Sequence, residues 1–349
     1  MKNAARAKKR VLINNYYKFV TPRGIIAYVN DLESYLSAKG IECRVISCPR
    51  FMKHWPKHGI WFHLFEQAIF PMIALRYDVV IYPYNSASLL SIFHRGSLLI
   101  VHDFIAYRRR LPGYSALSAK LVRWTQYLYR KSRRDVAFIT EDVAREARFT
   151  NMFPKSRTMV IPNVFFEFSQ IAKQIPAAKV ERKNYILLCS GKVPTKDLNG
   201  ALCLYRDSVV AKNYKLKILG LAGDSKVVDE VFRDNSMLRD RIEVLPIVSI
   251  ENLVSLYKNS EVTWVHSLSE GFGRNLSEAL ICGAKVVASN IRPLRLQVSD
   301  IDSVEFYKND ENAGFDDAFR NVMTKKNAIR FEGRSLNAVD AALRLLELQ

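Results

Sequence analysis

The chain has 349 residues, 49% hydrophobic, 25% charged and 11% aromatic, a globular composition long enough for two domains. No apolar run reaches the ~18–20 residues that span a bilayer, and the basic start MKNAARAKKRVLIN has too short an apolar run for a signal-peptide core. The net charge of +19 is uneven, with 27 Lys+Arg against 10 Asp+Glu in residues 1–160 and 26 against 24 after them; the first half therefore offers a surface to something anionic, either nucleic acid or acidic lipid headgroups.

Val11–Asn14 reads as a first strand. The loop NYYKFVTPRG follows, then an amphipathic helix over 25–39 with Val29, Leu32 and Leu36 on one face and Gly40 as its stop. Residues 41–47 return as a strand. Residues 50–75 mix Phe51, Met52, Trp55, Trp61, Phe62 and Phe65 with Lys53, Lys57 and histidines. Two readings stand side by side, an amphipathic face at a bilayer interface or a core helix with a basic edge. His54, His58 and His63, with no Cys or Asp nearby, are not spaced as metal ligands. Strands at 78–82 and 97–101 come next, the second ending in His102-Asp103 at a carboxyl end, where open α/β sheets hold ligands. In 106–134, Leu117, Leu121, Trp124 and Leu128 share a helical face, ringed by Lys120, Arg123, Arg130 and Lys131 and bracketed by 108–110 and Arg133-Arg134. That stripe is core by default. On a membrane, each cation near an anionic leaflet contributes roughly 1 kcal/mol. Strands at 136–140 and 158–163 complete this series, 164–183 reads as linker, and 185–190 opens a second βα series with strands at 216–219 and 242–246 and a helix at 250–259. The last element is an amphipathic helix over 335–349.

Chemistry concentrates in 261–290, EVTWVHSLSEGFGRNLSEALICGAKVVASN. Residues 262–265 are a buried strand, followed by a loop with Gly271 and Gly273 and a helix carrying Leu276, Ala279 and Leu280 on one face; Gly283 stops it before a strand at 285–288. Backbone N–H groups at such a helix start attract phosphate. Glu270 and Glu278 flank the loop and suit sugar hydroxyls, because a carboxylate accepts two at once. From the residues alone, Asn275-x-x-Glu278 also fits a capping box and Glu270 a solvated loop acid. The run SEGFGRNLSEALICGAKVVAS closely resembles the donor-binding motif of retaining GT-B-fold glycosyltransferases of family 4, often written EGFGxPxxEAxxxGxPVxAS.

The resemblance implies an α/β fold of GT-B architecture, two Rossmann-like domains facing across a cleft. Residues 1–165 would be a basic acceptor-binding domain, 166–183 a linker, 184–334 the nucleotide-sugar-binding domain, and 335–349 a helix packing back towards the first domain. It further implies that Glu278 holds the ribose, Glu270 the sugar hydroxyls, and the backbone around Gly271, Phe272, Gly273, Arg274, Asn275 and Leu276 the diphosphate. SGKVPTKDLNGAL resembles the family segment GRxxxxKGxxxLL, so Lys192 and Lys196 would offset the diphosphate charge, with Asp197 standing in for a glycine. Gly24 falls at the first glycine loop, His102 at the histidine beside the transferred sugar, Pro246 and Ile247 at the nucleobase wall, and 161–163 (IPN) at the interdomain hinge. Arg274-Asn275 replaces the usual Leu-Pro.

The expected activity is transfer of a sugar from a UDP- or GDP-linked donor to a saccharide acceptor, with retention and without metal or other cofactor. Glu270 and His102 are the catalytic candidates, and the leaving phosphate takes the acceptor proton. The basic first half points to a lipid-linked acceptor in bacterial surface polysaccharide or lipopolysaccharide synthesis, and to a cytoplasmic enzyme held peripherally on an anionic membrane surface. The five cysteines form no CxxC pair and read as reduced thiols, in keeping with the cytosol. Two alternatives stand beside this one, a non-catalytic GT-B binding module and a basic nucleic-acid-binding protein. The second accounts for the charge but leaves the Glu270/Glu278 loop without a purpose, so no nucleic-acid partner is expected.

Overall fold

In the computed structural model, which describes residues 9–20, 24–107, 116–176, 183–298, 303–309, 311–325 and 334–348, the apolar runs become strands of two parallel six-stranded sheets. One compact unit holds the described residues through Glu167 and those after 333; the other holds the described residues from Phe168 to Lys325.

The first sheet has the order β2-β1-β3-β4-β5-β6, with β1 at Val11–Asn14, β2 at Cys43–Ile46, β3 at Val79–Tyr82, β4 at Ser97–Val101, β5 at Asp135–Phe138 and β6 at Thr158–Val160. The second has the order β12-β11-β10-β7-β8-β9, with β7 at Lys183–Cys189, β8 at Lys215–Leu219, β9 at Ile242–Val244, β10 at Ser260–Val265, β11 at Val286–Ser289 and β12 at Val304–Tyr307. β1, β3, β4 and β11 are buried at every residue, as their unbroken β-branched and aliphatic runs require of central parallel strands. In each sheet the chain winds one way from its first strand and then returns to that strand's other side. The reversal falls between β1 and β3 in the first sheet and between β7 and β10 in the second, where Val262 is in register with Ile186 and Trp264 with Leu188. Carboxyl ends at such reversals splay their loops apart and leave room for a ligand.

The helix Gly24–Ala38 buries Ile26, Val29, Leu32 and Leu36, the face expected from their spacing. Three elements differ from the sequence reading. Within the stretch read as linker, Phe166–Gln174 is a helix, its last turn held by the Lys258 ammonium, which donates to the carbonyls of Ala172 and Ile175. Strand β12 lies in residues that carried no strand reading, and the helix Asn312–Thr324 follows it within the second unit. In the helix Ala116–Lys131 the buried face is Val122, Thr125, Gln126 and Tyr129, whereas Leu117 and Trp124 of the expected apolar stripe are exposed. The inner face is chosen by hydrogen bonds a hydropathy pattern does not contain: Thr125 donates to the Ala87 carbonyl, Gln126 to that of Asn85, and Tyr129 to Ser91. The final helix, Arg334–Leu345, belongs to the first unit, where Asp340 accepts from Tyr35 and Lys39 and the Leu345 carbonyl from Arg157.

Candidate active site

At the reversal of the second sheet, two loops leave neighbouring strand ends. Residues 190–197 follow β7, and 266–273 follow β10 and lead into the helix Arg274–Ile281. They are joined through the Thr195 carbonyl, which accepts from the Leu268 amide and the Ser267 hydroxyl, each at 2.8 Å. This stitching sets Lys196 against Glu270, Nζ to Oε1 2.5 Å, with both side chains largely buried. Glu270 is therefore a paired acid rather than a solvated one. Lys192, one turn earlier, pairs with Asp224 from the loop after β8.

Glu278 sits one turn into the helix, and Arg274 Nε donates to its Oε1 at 3.2 Å. Tyr257, from the helix Ile250–Asn259, donates its hydroxyl to Oε2 at 3.1 Å. Asn275 turns its amide to the Cys189 carbonyl at the end of β7, so the two residues do not form a capping box, and Gly273 begins the helix without a side-chain cap. The surroundings are strongly desolvated. Burial raises the Tyr257 hydroxyl well above its ordinary range, and burial above all pushes the Cys189 and Cys282 thiols up to about 12 each. These thiols are packing groups at neutral pH and not nucleophiles.

The glycines and their neighbours explain the loop's shape. Gly273 has φ +89, where a side chain is strained, and a Cβ there would lie 2.3 Å from Leu294 Cδ2 and push that buried side chain aside. Gln297 holds it from behind, donating to the Phe272 carbonyl and accepting from Ser277 Oγ at 2.6 Å. Asp197 adopts φ +41 and accepts from the Gly200 amide at the start of the helix Leu198–Asp207. Its other oxygen lies 3.4 Å from Nε2 of the wholly buried His266, whose Nδ1 meets the Tyr307 hydroxyl at 2.5 Å. Burial lowers the His266 pKa, and Asp197 works against that shift. The lysine loop is thereby tied to the end of β10 through a histidine inside the sheet layer.

Of the expected site residues, Lys192, Lys196, Glu270, Gly271, Phe272, Gly273, Arg274, Asn275 and Glu278 gather at this reversal. Leu276 contributes no side chain to it, being wholly buried, and its amide already donates to the Gly273 carbonyl. Pro246 and Ile247 lie exposed past the end of β9, two strands from β7. Gly24 and His102 belong to the first unit. Gly24 is the first residue of its helix, and His102 follows β4, buried edge-on against Tyr28 with ring centroids 5.2 Å apart. His102 Nε2 is 2.8 Å from the Pro83 carbonyl, which can only accept, so Nε2 carries the proton. Its backbone amide donates to Asn85 Oδ1 at 2.5 Å. Tyr257, Asp224, Gln297 and His266 were not legible as site residues; they lie in a helix, a loop, a turn and just past a strand end, outside any motif, and only their hydrogen bonds mark them. Among the described residues no group of three or more His, Cys, Asp or Glu side chains is placed to hold a metal ion.

Residues 170–330 match the family described as Glycosyl transferases group 1. A stretch of 63 residues is 41% identical to a D-inositol 3-phosphate glycosyltransferase of Mycolicibacterium vanbaalenii, covering 18% of this chain and 14% of that protein. The chain thus matches only a small part of that curated relative's length. Among solved structures, the chain is similar to a sucrose-phosphate synthase from Thermosynechococcus elongatus (TM-score 0.69, 15% identity, 98% of this chain and 100% of that one). It is also similar to WaaG, a glycosyltransferase involved in lipopolysaccharide biosynthesis (TM-score 0.66, 12% identity, 97% and 95%). A third neighbour is Anabaena HepE in complex with UDP and glucose (TM-score 0.58, 15% identity, 96% and 95%). At these identities the likeness is one of fold, and the fold is the two-domain α/β architecture of GT-B glycosyltransferases.

Proposed function

We propose that this protein is a glycosyltransferase that moves a sugar, with retained configuration and without a metal, from a nucleotide-sugar donor to a lipid-linked saccharide acceptor. One observation carries the reading: the joined loops at the β7/β10 reversal bring Glu270 and Glu278 together with Lys192, Lys196 and the uncapped start of an eight-residue helix. Carboxylates suit hydroxyl-rich ribose and sugar, and cations with helix amides suit a diphosphate. In this proposal Glu278 holds the ribose, Glu270 the transferred sugar, and Lys192 and Lys196 stabilise the departing diphosphate. The leaving phosphate takes the acceptor's proton, and His102 serves the acceptor side. A neighbour that binds UDP and glucose supports a UDP donor.

The acceptor proposal rests on the outer face of the first unit. Leu64, Leu90, Phe93 (77% exposed), Leu117, Trp124 (55%) and Tyr127 lie exposed on three segments joined by hydrogen bonds, His63 to Ser118 at 3.0 Å, Thr125 to Ala87 and Tyr129 to Ser91. Arg95, Lys120, Arg123, Arg130 and Lys131 stand exposed among them. Large exposed apolar side chains mixed with cations suit an anionic lipid surface, with rings at headgroup level. A lipopolysaccharide neighbour supports the same direction. No helix among the described residues is long and apolar enough to cross a membrane, so attachment in this proposal is peripheral.

The test is calorimetric titration of UDP- and GDP-sugars into wild type and Glu278→Ala, followed by a donor-hydrolysis assay. Binding of one nucleotide class, weakened roughly tenfold to a hundredfold by the substitution, is expected for a lost charge-assisted contact. Wild type that binds neither class would overturn the reading.

A further inference from the structure

We propose that the helical segment 58–75 of the first unit is a lipid-docking edge, with a bilayer bearing anionic headgroups as its partner. The proposal rests on the membrane face argued above and extends it along a further segment, from a different observation. Ile60, Leu64, Ile69, Met72 and Leu75 are all exposed, from 44% at Ile69 to 78% at Leu75. They recur at intervals of 4, 5, 3 and 3 residues, which fit no single face of an unbroken α-helix. At about 100° per residue, Ile69 would stand about 180° from Ile60, on the side where Phe62 is buried. The wide turn Phe65–Ile69 lies between the α-helices His58–Leu64 and Phe70–Ala74 and removes the conflict. Its one extra residue turns everything after it back by about 100°, which brings the five side chains into a stripe about 120° wide. Phe62, Phe70 and Ala74 then share the opposite, buried side. The sequence supplies the cause. Pro71 has no N–H to donate to the Gln67 carbonyl four residues back, and in an α-helix its ring would collide with that group. The Gln67 carbonyl accepts from Ser88 Oγ instead, at 3.5 Å.

Charge names the partner. Residues 50–76 contain one acid, Glu66, and it is wholly buried in the wide turn. Burial raises its carboxyl to about 8, so it carries a proton at neutral pH. Lys57 and Arg76 stand exposed at the two ends of the stripe. Residues 86–95 and 116–134, which share the outer face, hold no Asp or Glu. The segments adjoin, since His63 lies 3.0 Å from Ser118 Oγ on the helix Ala116–Lys131. An apolar stripe bracketed by cations and clear of exposed acids can sink into the acyl boundary while its charges meet anionic headgroups.

The experiment measures, by co-sedimentation, partition of the full chain onto vesicles of phosphatidylcholine mixed with phosphatidylglycerol. The variants are Ile60→Ser with Leu64→Ser, before the wide turn, and Ile69→Ser with Met72→Ser, at its end and beyond it. Each pair is expected to lower partition at least about tenfold with the melting transition unmoved. Should a serine pair fold poorly, Lys57→Glu with Arg76→Glu reads the same edge through its charge, with a loss of at least about tenfold expected. Phe149→Ser removes an exposed ring from the helix Glu141–Phe149, which carries Glu141, Asp142 and Glu146, and should leave partition unchanged. Loss in the first pair alone overturns the alignment by the turn. Loss in neither pair, while wild type binds, overturns this inference and leaves the face to Phe93 and Trp124. Serine pairs that instead dissolve a wild-type dimer assign the edge to a second copy of this chain and overturn the lipid partner. Wild type that stays off anionic vesicles overturns the membrane reading and this inference together.

Discussion

Glu66 is wholly buried in the first unit, in the wide helical turn Phe65–Ile69, and accepts from Ser86 Oγ at 3.1 and 2.9 Å. Burial raises its carboxyl from the ordinary 4.5 to about 8, with the hydrogen bonds from Ser86 and Gln67 pulling the other way. The groups facing it are the hydroxyls of Tyr82 and Tyr129, and neither is a cation that would hold a carboxylate. The folded chain therefore keeps a proton there that the unfolded chain releases. Between pH 4.5 and 8 the unfolded state binds one proton fewer, so stability falls with rising pH, by about 1.4 kcal/mol per pH unit and about 5 kcal/mol across the window. Glu66→Gln copies the protonated carboxyl in shape and removes the titration. It should match wild type near pH 4.5, exceed it by about 3 kcal/mol at pH 7, and exceed it by about 5 kcal/mol at pH 8 and above. Urea midpoints for the transition that includes the first unit, measured at half-unit steps from pH 4.5 to 8.5, give the two curves. Parallel curves would refute the buried neutral acid. Ser86 adjoins Asn85, whose side-chain oxygen accepts from the His102 amide in the same unit.

Gly220 has φ +110, and a Cβ there would lie 1.8 Å from the Ser190 carbonyl at the root of the lysine loop, whereas Gly223 has φ +82 and no atom within 4 Å. Gly220→Ala should thus cost about 2–5 kcal/mol in urea unfolding, from backbone strain and overlap together, and Gly223→Ala only about 1–2; equal losses would contradict the packing argument. Phe93→Ser with Trp124→Ser should reduce partition onto vesicles containing anionic lipid at least about tenfold without moving the melting transition, and an unchanged partition would remove the membrane face from the proposal.

The sheets were legible because central parallel strands must be apolar on both faces, which leaves unbroken runs such as VLIN, VVIY and VVAS. Strand β12 escaped because only its first and last residues are fully buried, so VEFY carries no continuous run. For the helix Ala116–Lys131 the sequence left core and membrane face open, because the first unit buries Thr125 and Gln126 on backbone carbonyls and hydropathy counts such residues as outward. Of the two readings, core was the default for that stripe, but its Leu117 and Trp124 lie at the surface, and these exposed residues give the membrane proposal its material.

At the candidate site, the acids, glycines and lysines were legible because they stand in two contiguous stretches, 190–200 and 269–290, that could be set against a motif. Their partners were not, since Tyr257, Asp224 and Gln297 act across the fold from elements with patterns of their own. Asp197 is the instructive case. Set against the resembled segment it is a defect, a side chain where the backbone turns to φ +41 and a glycine is usual. In the structure that side chain caps the following helix at the Gly200 amide and reaches His266, so the strained turn is held by contacts a glycine could not make. The need for a glycine has moved three residues along, for a Cβ on Gly200 would lie 2.2 Å from Asp197 Oδ2. Asp197, Gly200 and His266 are one solution to a single constraint, the placing of Lys196 against Glu270. A position-by-position comparison records it as a mismatch because the compensation lies in residues outside the motif.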